Sequence, residues 1–273
     1  MELFISDLDG TLLNSKAEIS EYTEKILNDL IENGLHFTVA TARTYASAGK
    51  ILKGLNLHLP IILMNGVLIY DPMDSQYCKV NTLDNVLCQL INTEKNRLGL
   101  DCFMYTIKEN DMMTYYERLS SQAMTDFYKE RREKYYKSFT QVDTFENIND
   151  DVIYFTFINS REKLLPLYDI LNKNPKLTVT FYNDIYSEDL WYLEVFSSKA
   201  SKKNGVLFLK EKYNYEMISA FGDNTNDLPM FEVSDRKYAV ANANKAVLEH
   251  CDKIIDSNEN DGVAKFLLKL KGN

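Results

Sequence analysis

Two carboxylates stand two residues apart in Leu3-Phe4-Ile5-Ser6-Asp7-Leu8-Asp9-Gly10-Thr11, closing a short apolar run that reads as a buried strand. Gly10 lets the backbone turn sharply there without a Cβ penalty. Adjacent carboxylates repel, so Asp7 and Asp9 call for a cation, failing which one of them tends to hold a proton. An oxygen-only set suits Mg2+, which takes one or two carboxylates and fills its shell with water and substrate phosphate. A Ca2+ loop counted from Asp7 would need glycine at its sixth position, where Leu12 stands.

Other polar groups share that placement. Thr41, Lys203 and the run Asp223, Asn226, Asp227 each follow, directly or shortly after, an apolar stretch expected to be a strand. Singly, Thr41 and Asp227 also suit helix caps, and Lys203 suits the surface lysine of a Lys202-Lys203 pair. At the carboxyl ends of strands in one parallel sheet, they line a single crevice. The chemistry they suit is phosphoryl transfer through an aspartyl phosphate. Asp7 is the nucleophile, with Mg2+ held by Asp7, the backbone carbonyl of Asp9 and Asp223. Lys203 supplies positive charge to a phosphate oxygen, and Thr41 and Asn226 donate hydrogen bonds. Asp9 protonates the leaving alkoxide, then takes a proton from the attacking water.

The elements that must position these groups follow from the apolar pattern. A helix capped by Ser20 is expected over 20–33, with Gly34 at its left-handed end. Strands are expected over 35–40 and 61–64, with a helix over 45–55 between them. Asn65-Gly66 then marks a hairpin turn into an apolar run at 67–70. Strand and helix in alternation imply a doubly wound, mostly parallel sheet. From about residue 83 the texture changes: tyrosine is dense, and strands at 101–106, 152–158, 177–182 and 190–196 accompany two helical stretches. One runs over 120–137 and carries the Lys129–Lys134 charge run, read as a solvated face. The other starts near Ser160 and is interrupted in pattern by Pro166. The parallel pattern resumes with a helix over 203–212, strands at 217–221, 238–241 and 253–256, and a helix over 263–270.

Composition sets the bounds. The 273 residues are 45% apolar and 26% charged, which is ordinary for a soluble globular protein. A formal charge of −9 disfavours nucleic acid and anionic membranes as partners. Four cysteines without metal or disulfide spacing, no secretory leader pattern and no long apolar run lead to the expectation of a cytoplasmic, soluble protein.

The sequence resembles the haloacid dehalogenase-like hydrolases, specifically their Cof-type sugar-phosphatase branch with a large inserted cap of type IIB. Asp7-Leu8-Asp9-Gly10-Thr11 is similar to the family's first motif and Ala40-Thr41-Ala42-Arg43 to its second, with Ala42 where glycine is usual. Lys203-Asn204-Gly205-Val206-Leu207 is similar to the third, and Lys203 is favoured over Lys202 because Val206 and Leu207 then fall three and four residues on. Gly222-Asp223-Asn224-Thr225-Asn226-Asp227 matches the fourth, which implies that Asp223 and Asp227 are metal positions. Two further segments, 239–243 and 260–264, resemble C-terminal signatures of the branch.

The resemblance implies a Rossmann-like α/β core over 1–82 and 196–273, with an α+β cap inserted over 83–195. Such a cap opens for substrate and closes to exclude bulk water. The expected function is Mg2+-dependent hydrolysis of small phosphorylated metabolites, sugar phosphates or phosphorylated cofactors, by a monomer or weak homo-oligomer. Asn65 and Arg43 are candidate substrate contacts. A phosphomutase or phosphotransferase on the same scaffold would use the same clusters, and a phosphate-accepting signalling module would need only an aspartate and a metal.

Overall fold

Seven elements open the chain: β1 (Glu2–Ser6), α1 (Glu21–Glu32), β2 (Phe37–Val39), α2 (Tyr45–Leu52), β3 (Ile61–Leu63), β4 (Leu68–Asp71) and β5 (Gln76–Val80). The middle holds α3 (Asn85–Arg97), β6 (Cys102–Lys108), β7 (Asp111–Tyr116), α4 (Gln122–Tyr135), β8 (Thr140–Gln141), β9 (Asp151–Asn159), α5 (Arg161–Leu171), β10 (Leu177–Asn183) and β11 (Trp191–Ser197). The chain closes with α6 (Lys202–Tyr213), β12 (Met217–Gly222), α7 (Leu228–Phe231), β13 (Arg236–Val240), α8 (Lys245–Leu248), β14 (Lys253–Ile255) and α9 (Gly262–Lys271). This computed structural model describes residues 1–135, 138–184 and 189–271. It divides into one unit of Met1–Lys79 with Ser201–Asn273 and another of Val80–Ala200. The fold is α/β, with a parallel sheet in the first unit and an inserted α+β cap as the second.

In the first unit, β1 is buried from Leu3 to Ser6 and sits inside a sheet of order β14-β13-β12-β1-β2, parallel throughout. A parallel bridge from Ala40 to Ile62 carries the pairing on to β3. All the carboxyl ends therefore open on one edge of the sheet, the edge where such folds bind ligands. Ser20 caps α1 by accepting from the Thr23 amide, and Leu27, Leu30 and Ile31 bury its inner face.

The Asn65-Gly66 turn is wider than a two-residue hairpin. β3 and β4 pair antiparallel, Leu63 opposite Leu68, but Met64, Asn65 and Gly66 are all left-handed, with φ of 49°, 52° and 93°. The Met64 amide donates to the Arg43 carbonyl and the Asn65 amide to the Thr41 carbonyl, so these donors go to the loop after β2 instead of closing a tight turn. A Cβ on Gly66 would lie 2.2 Å from the Ser201 carbonyl oxygen, which holds this turn close to the start of α6.

In the second unit a sheet of order β10-β11-β9-β6-β7-β8 buries Phe155, Phe157, Leu193 and Val195 in a core shared with Leu87 and Ile91 of α3 and Leu164, Leu167 and Leu171 of α5. Three helices stand here among the described residues, not the two expected. α3 escaped the pattern because its inward positions run Leu87, Ile91 and then Lys95, a buried ammonium 2.5 Å from Glu117. α5 runs unbroken through Pro166. On α4, Lys129, Glu130, Arg132 and Glu133 are exposed, as a solvated face requires. Tyr136 and Lys137, the last residues of the expected helix over 120–137, lie outside the described residues.

Candidate active site

Asp7 is the first residue beyond β1, and its amide donates to the Phe221 carbonyl of β12 at 3.0 Å. That bond fixes the carboxylate between the two central strands. The side chain is almost fully buried, and the ammonium of Lys202 lies against it: Nζ is 2.5 Å from Asp7 Oδ1 and 2.7 Å from Asp227 Oδ1. Lys202 opens α6, whose start is set by Ser201 accepting from the Asn204 amide.

Burial pushes the Asp7 carboxyl well above the usual carboxylate range; Lys202 pulls it back, and Asp227 and Asp223 push it further up. Burial alone would lower Lys202, but the carboxylates of Asp7 and Asp227 outweigh it and hold the ammonium above its ordinary value. Asp223 is also raised, chiefly by burial, although Thr11 opposes the rise by donating to its Oδ1 at 2.8 Å. Gly10 packs on the same carboxylate; with φ at 82°, a Cβ there would lie 2.4 Å from Asp223 Oδ2.

Among the described residues, Asp7, Asp223 and Asp227 form one group whose carboxylate oxygens lie within 4.8 Å of one another. Three hard oxygen donors with one lysine leave negative charge in excess, and a small divalent cation fits that donor set. The three are not equivalent. Asp227 already gives Oδ1 to Lys202, and its Oδ2 accepts from the amides of Asp223 and Asn224 at 3.0 and 3.1 Å. It is an anchor for the lysine and for the Asp223 loop.

The lysine that lies against the acidic group is Lys202, not Lys203. Lys203 is 41% exposed and its Nζ pairs with Glu232 at 2.9 Å, away from the cluster. One residue along a helix rotates a side chain by about 100°, so neighbours cannot share a face. The signal was in the sequence: Lys202, Gly205, Val206 and Leu209 are the buried residues of α6, at i, i+3, i+4 and i+7, while Leu207 is exposed.

The other expected residues divide. Thr41 is fully buried beyond β2, its amide donating to Ile62 O and its Oγ1 accepting from the Arg43 amide at 3.1 Å. Asp9 is half exposed, and its carboxylate is held by Arg43, with Nε to Oδ2 at 2.7 Å and Nη2 to Oδ1 at 2.5 Å. Its side chain is thus outside the three-carboxylate group. Arg43, a candidate substrate contact by sequence, pairs with Asp9, the candidate acid/base. Asn226 is exposed in the turn Thr225–Asp227. Asn65 donates its amide to the Thr41 carbonyl, and its Oδ1 is buried without a hydrogen-bond partner.

Residues 4–267 match a family model described as haloacid dehalogenase-like hydrolase. The 5-amino-6-(5-phospho-D-ribitylamino)uracil phosphatase YitU of Bacillus subtilis is 27% identical, the alignment covering 97% of this chain and 96% of that one. The crystal structure of TM0651 from Thermotoga maritima superposes with a TM-score of 0.81 at 25% identity, over 98% of this chain and 96% of the other. The subclass IIB sugar phosphatase BT4131 shares the fold, with a TM-score of 0.74 at 18% identity over 99% of both chains.

Proposed function

The chain belongs to the haloacid dehalogenase-like hydrolases and is of the phosphatase class, and from that premise we propose that it hydrolyses small phosphorylated metabolites through an aspartyl phosphate on Asp7, with Mg2+ as its metal. The observation that carries this reading is the buried Asp7 carboxylate, facing one lysine and two further carboxylates at the carboxyl edge of the sheet.

Lys202 engages Oδ1 of Asp7, and the other carboxylate oxygen, Oδ2, is the one proposed to attack phosphorus. Bond formation from Asp7 to phosphorus accompanies cleavage of the ester P–O bond, and Asp9 gives a proton to the departing alkoxide. In the second half, water loses a proton to Asp9 and attacks phosphorus. The Asp7–phosphorus bond breaks, and inorganic phosphate leaves. Lys202 balances charge on the phosphoryl oxygens while the Thr41 hydroxyl and the Asn226 amide orient them. Asp7, the Asp9 backbone carbonyl and Asp223 would hold Mg2+, which when bound offsets repulsion between the carboxylate and the anionic phosphate.

YitU is named for 5-amino-6-(5-phospho-D-ribitylamino)uracil, and BT4131 as a sugar phosphatase. Both kinds are offered here as the substrate class. The test is a panel of sugar phosphates and phosphorylated cofactors scored for phosphate release with and without Mg2+. Metal-dependent release from some of them, absent in Asp7→Asn, is expected; a folded, Mg2+-supplied protein that leaves the whole panel intact would overturn the reading.

A further inference from the structure

Two asparagines far from β1 in sequence hold the turn that follows it. After Asp7 the backbone makes a single tight turn, in which the amides of Thr11, Leu12 and Leu13 all donate to the Leu8 carbonyl. The carbonyls of Gly10 and Leu13 point out of this turn. Asn242, beyond β13, donates its Nδ2 to Gly10 O at 2.7 Å. Asn258, in the short turn Asn258–Asn260 beyond β14, donates its Nδ2 to Leu13 O at 2.8 Å. The two asparagines are joined to each other, the Asn258 amide donating to Asn242 Oδ1 at 3.0 Å. The result is a bracket of three hydrogen bonds spanning the turn.

We propose that Asn242 and Asn258 are positioning residues for the reaction centre, fixing the turn 8–13 and through it Asp7, the Asp9 carbonyl and Thr11. Gly10 is the pivot: its carbonyl is held by Asn242, and its Cα is packed on the Asp223 carboxylate. Thr11, one residue on, donates to that same carboxylate. A shift of the turn would therefore move Asp9 O and disturb Asp223 together. The same C-terminal loop also ties the start of α1, where Asp261 accepts from Ser20 and Thr23 Oγ1, but that contact lies beyond the turn and does not touch the acidic group.

This inference rests on the reading of Asp7, the Asp9 carbonyl and Asp223 as the cation site, so its test separates the two. Asn242→Asp and Asn258→Asp each replace a donating NH2 by an oxygen facing a carbonyl at nearly constant volume. Asn242→Ala, at an exposed position, is a variant without added charge. Mn2+ binding to the metal-free protein is measured by spin-probe titration, and kcat, KM and the Mg2+ dependence of phosphate release are measured alongside. Each variant is expected to weaken Mn2+ binding about fivefold, the value of one net hydrogen bond. Turnover should fall with KM little changed, and the double Asp variant should lose less than the product of the single losses. Asp261→Asn is the control: it should lower the melting temperature and leave Mn2+ affinity as in wild type. Wild-type Mn2+ affinity in the folded Asn242 and Asn258 variants, or an equal loss in Asp261→Asn, overturns the inference. A wild-type protein that neither binds Mn2+ nor releases phosphate overturns the reading beneath it.

Discussion

Lys202 Nζ bridges Asp7 and Asp227, 2.5 Å from an oxygen of the first and 2.7 Å from an oxygen of the second, in a site where all three side chains are buried. Its neighbour Lys203 makes only a surface pair with Glu232. Removing one partner of a buried ion pair costs about 3–5 kcal/mol, because the remaining charge is left uncompensated. An exposed pair is worth roughly 0–1 kcal/mol.

Lys202→Ala should therefore lower both stability and turnover, the latter by roughly a hundredfold or more as a charge donor to the phosphoryl group is lost. Lys203→Ala should leave both near wild type. Thermal melts and steady-state rates on the two variants decide the matter, and the reverse pattern would return the role to Lys203.

Asp7 allows a pH prediction whose sign is set by burial. An unfolded Asp titrates near ~3.9. Folded Asp7 titrates higher, so across the interval between the two values the folded state holds the extra proton and stability drops as pH rises. Asp7→Asn escapes that loss. In metal-free protein its melting temperature relative to wild type should rise as pH rises from ~4, the lower end of that window, toward neutrality, and it should show no turnover at any pH. A melting-temperature difference from wild type that stays constant between pH ~4 and pH ~7 would falsify this account of Asp7.

Asp223 and Asp227 should fail in different ways. Asp223 is itself strained by burial, so Asp223→Asn should fold well yet lose the stabilisation that Mg2+ confers. For wild type at a hundred times Kd, that stabilisation is about 2.7 kcal/mol. Asp227 holds Lys202 and two amides, so Asp227→Asn should destabilise the protein even without metal. Melting temperatures with and without Mg2+ separate the two cases.

Arg43 grips Asp9 with two parallel N–H···O bonds, a geometry that lysine cannot copy. Arg43→Ala should lower kcat roughly tenfold, about 1.4 kcal/mol in the barrier, with KM changed less. Arg43→Lys should recover little of it. Unchanged kcat in both variants would mean that Asp9 needs no such support.

Much of this architecture was legible in the chain, for reasons that differ by element. The parallel sheet was readable because β1, β2 and β12 are apolar runs buried on both faces, each followed by polar, turn-forming residues. Asp7 and Asp223 were readable because each closes an apolar run, and a parallel sheet brings such strand ends to one edge. The lysine was misassigned because spacing to Val206 and Leu207 was weighed without asking which of the two a helix would bury. α3 was missed because a buried lysine interrupts its apolar stripe. Thr11 and Asn242 lie in segments that the resemblance marked, but their contacts, like those of Asn258, carried no local sign, since the partners lie 212 to 245 residues away and only the folded sheet brings them together.

The pairing of β1 with β12, Glu2 opposite Met217, has a consequence during synthesis. As the ribosome delivers the chain, β1 must wait for its central neighbour until more than two hundred further residues have emerged, roughly 10–40 s at typical elongation rates. The unit Val80–Ala200, contiguous in sequence, has been synthesised by then, though β12 follows it closely. The nascent enzyme thus acquires a finished inserted domain before it owns a reaction centre, and no truncated product that stops short of β12 can be active.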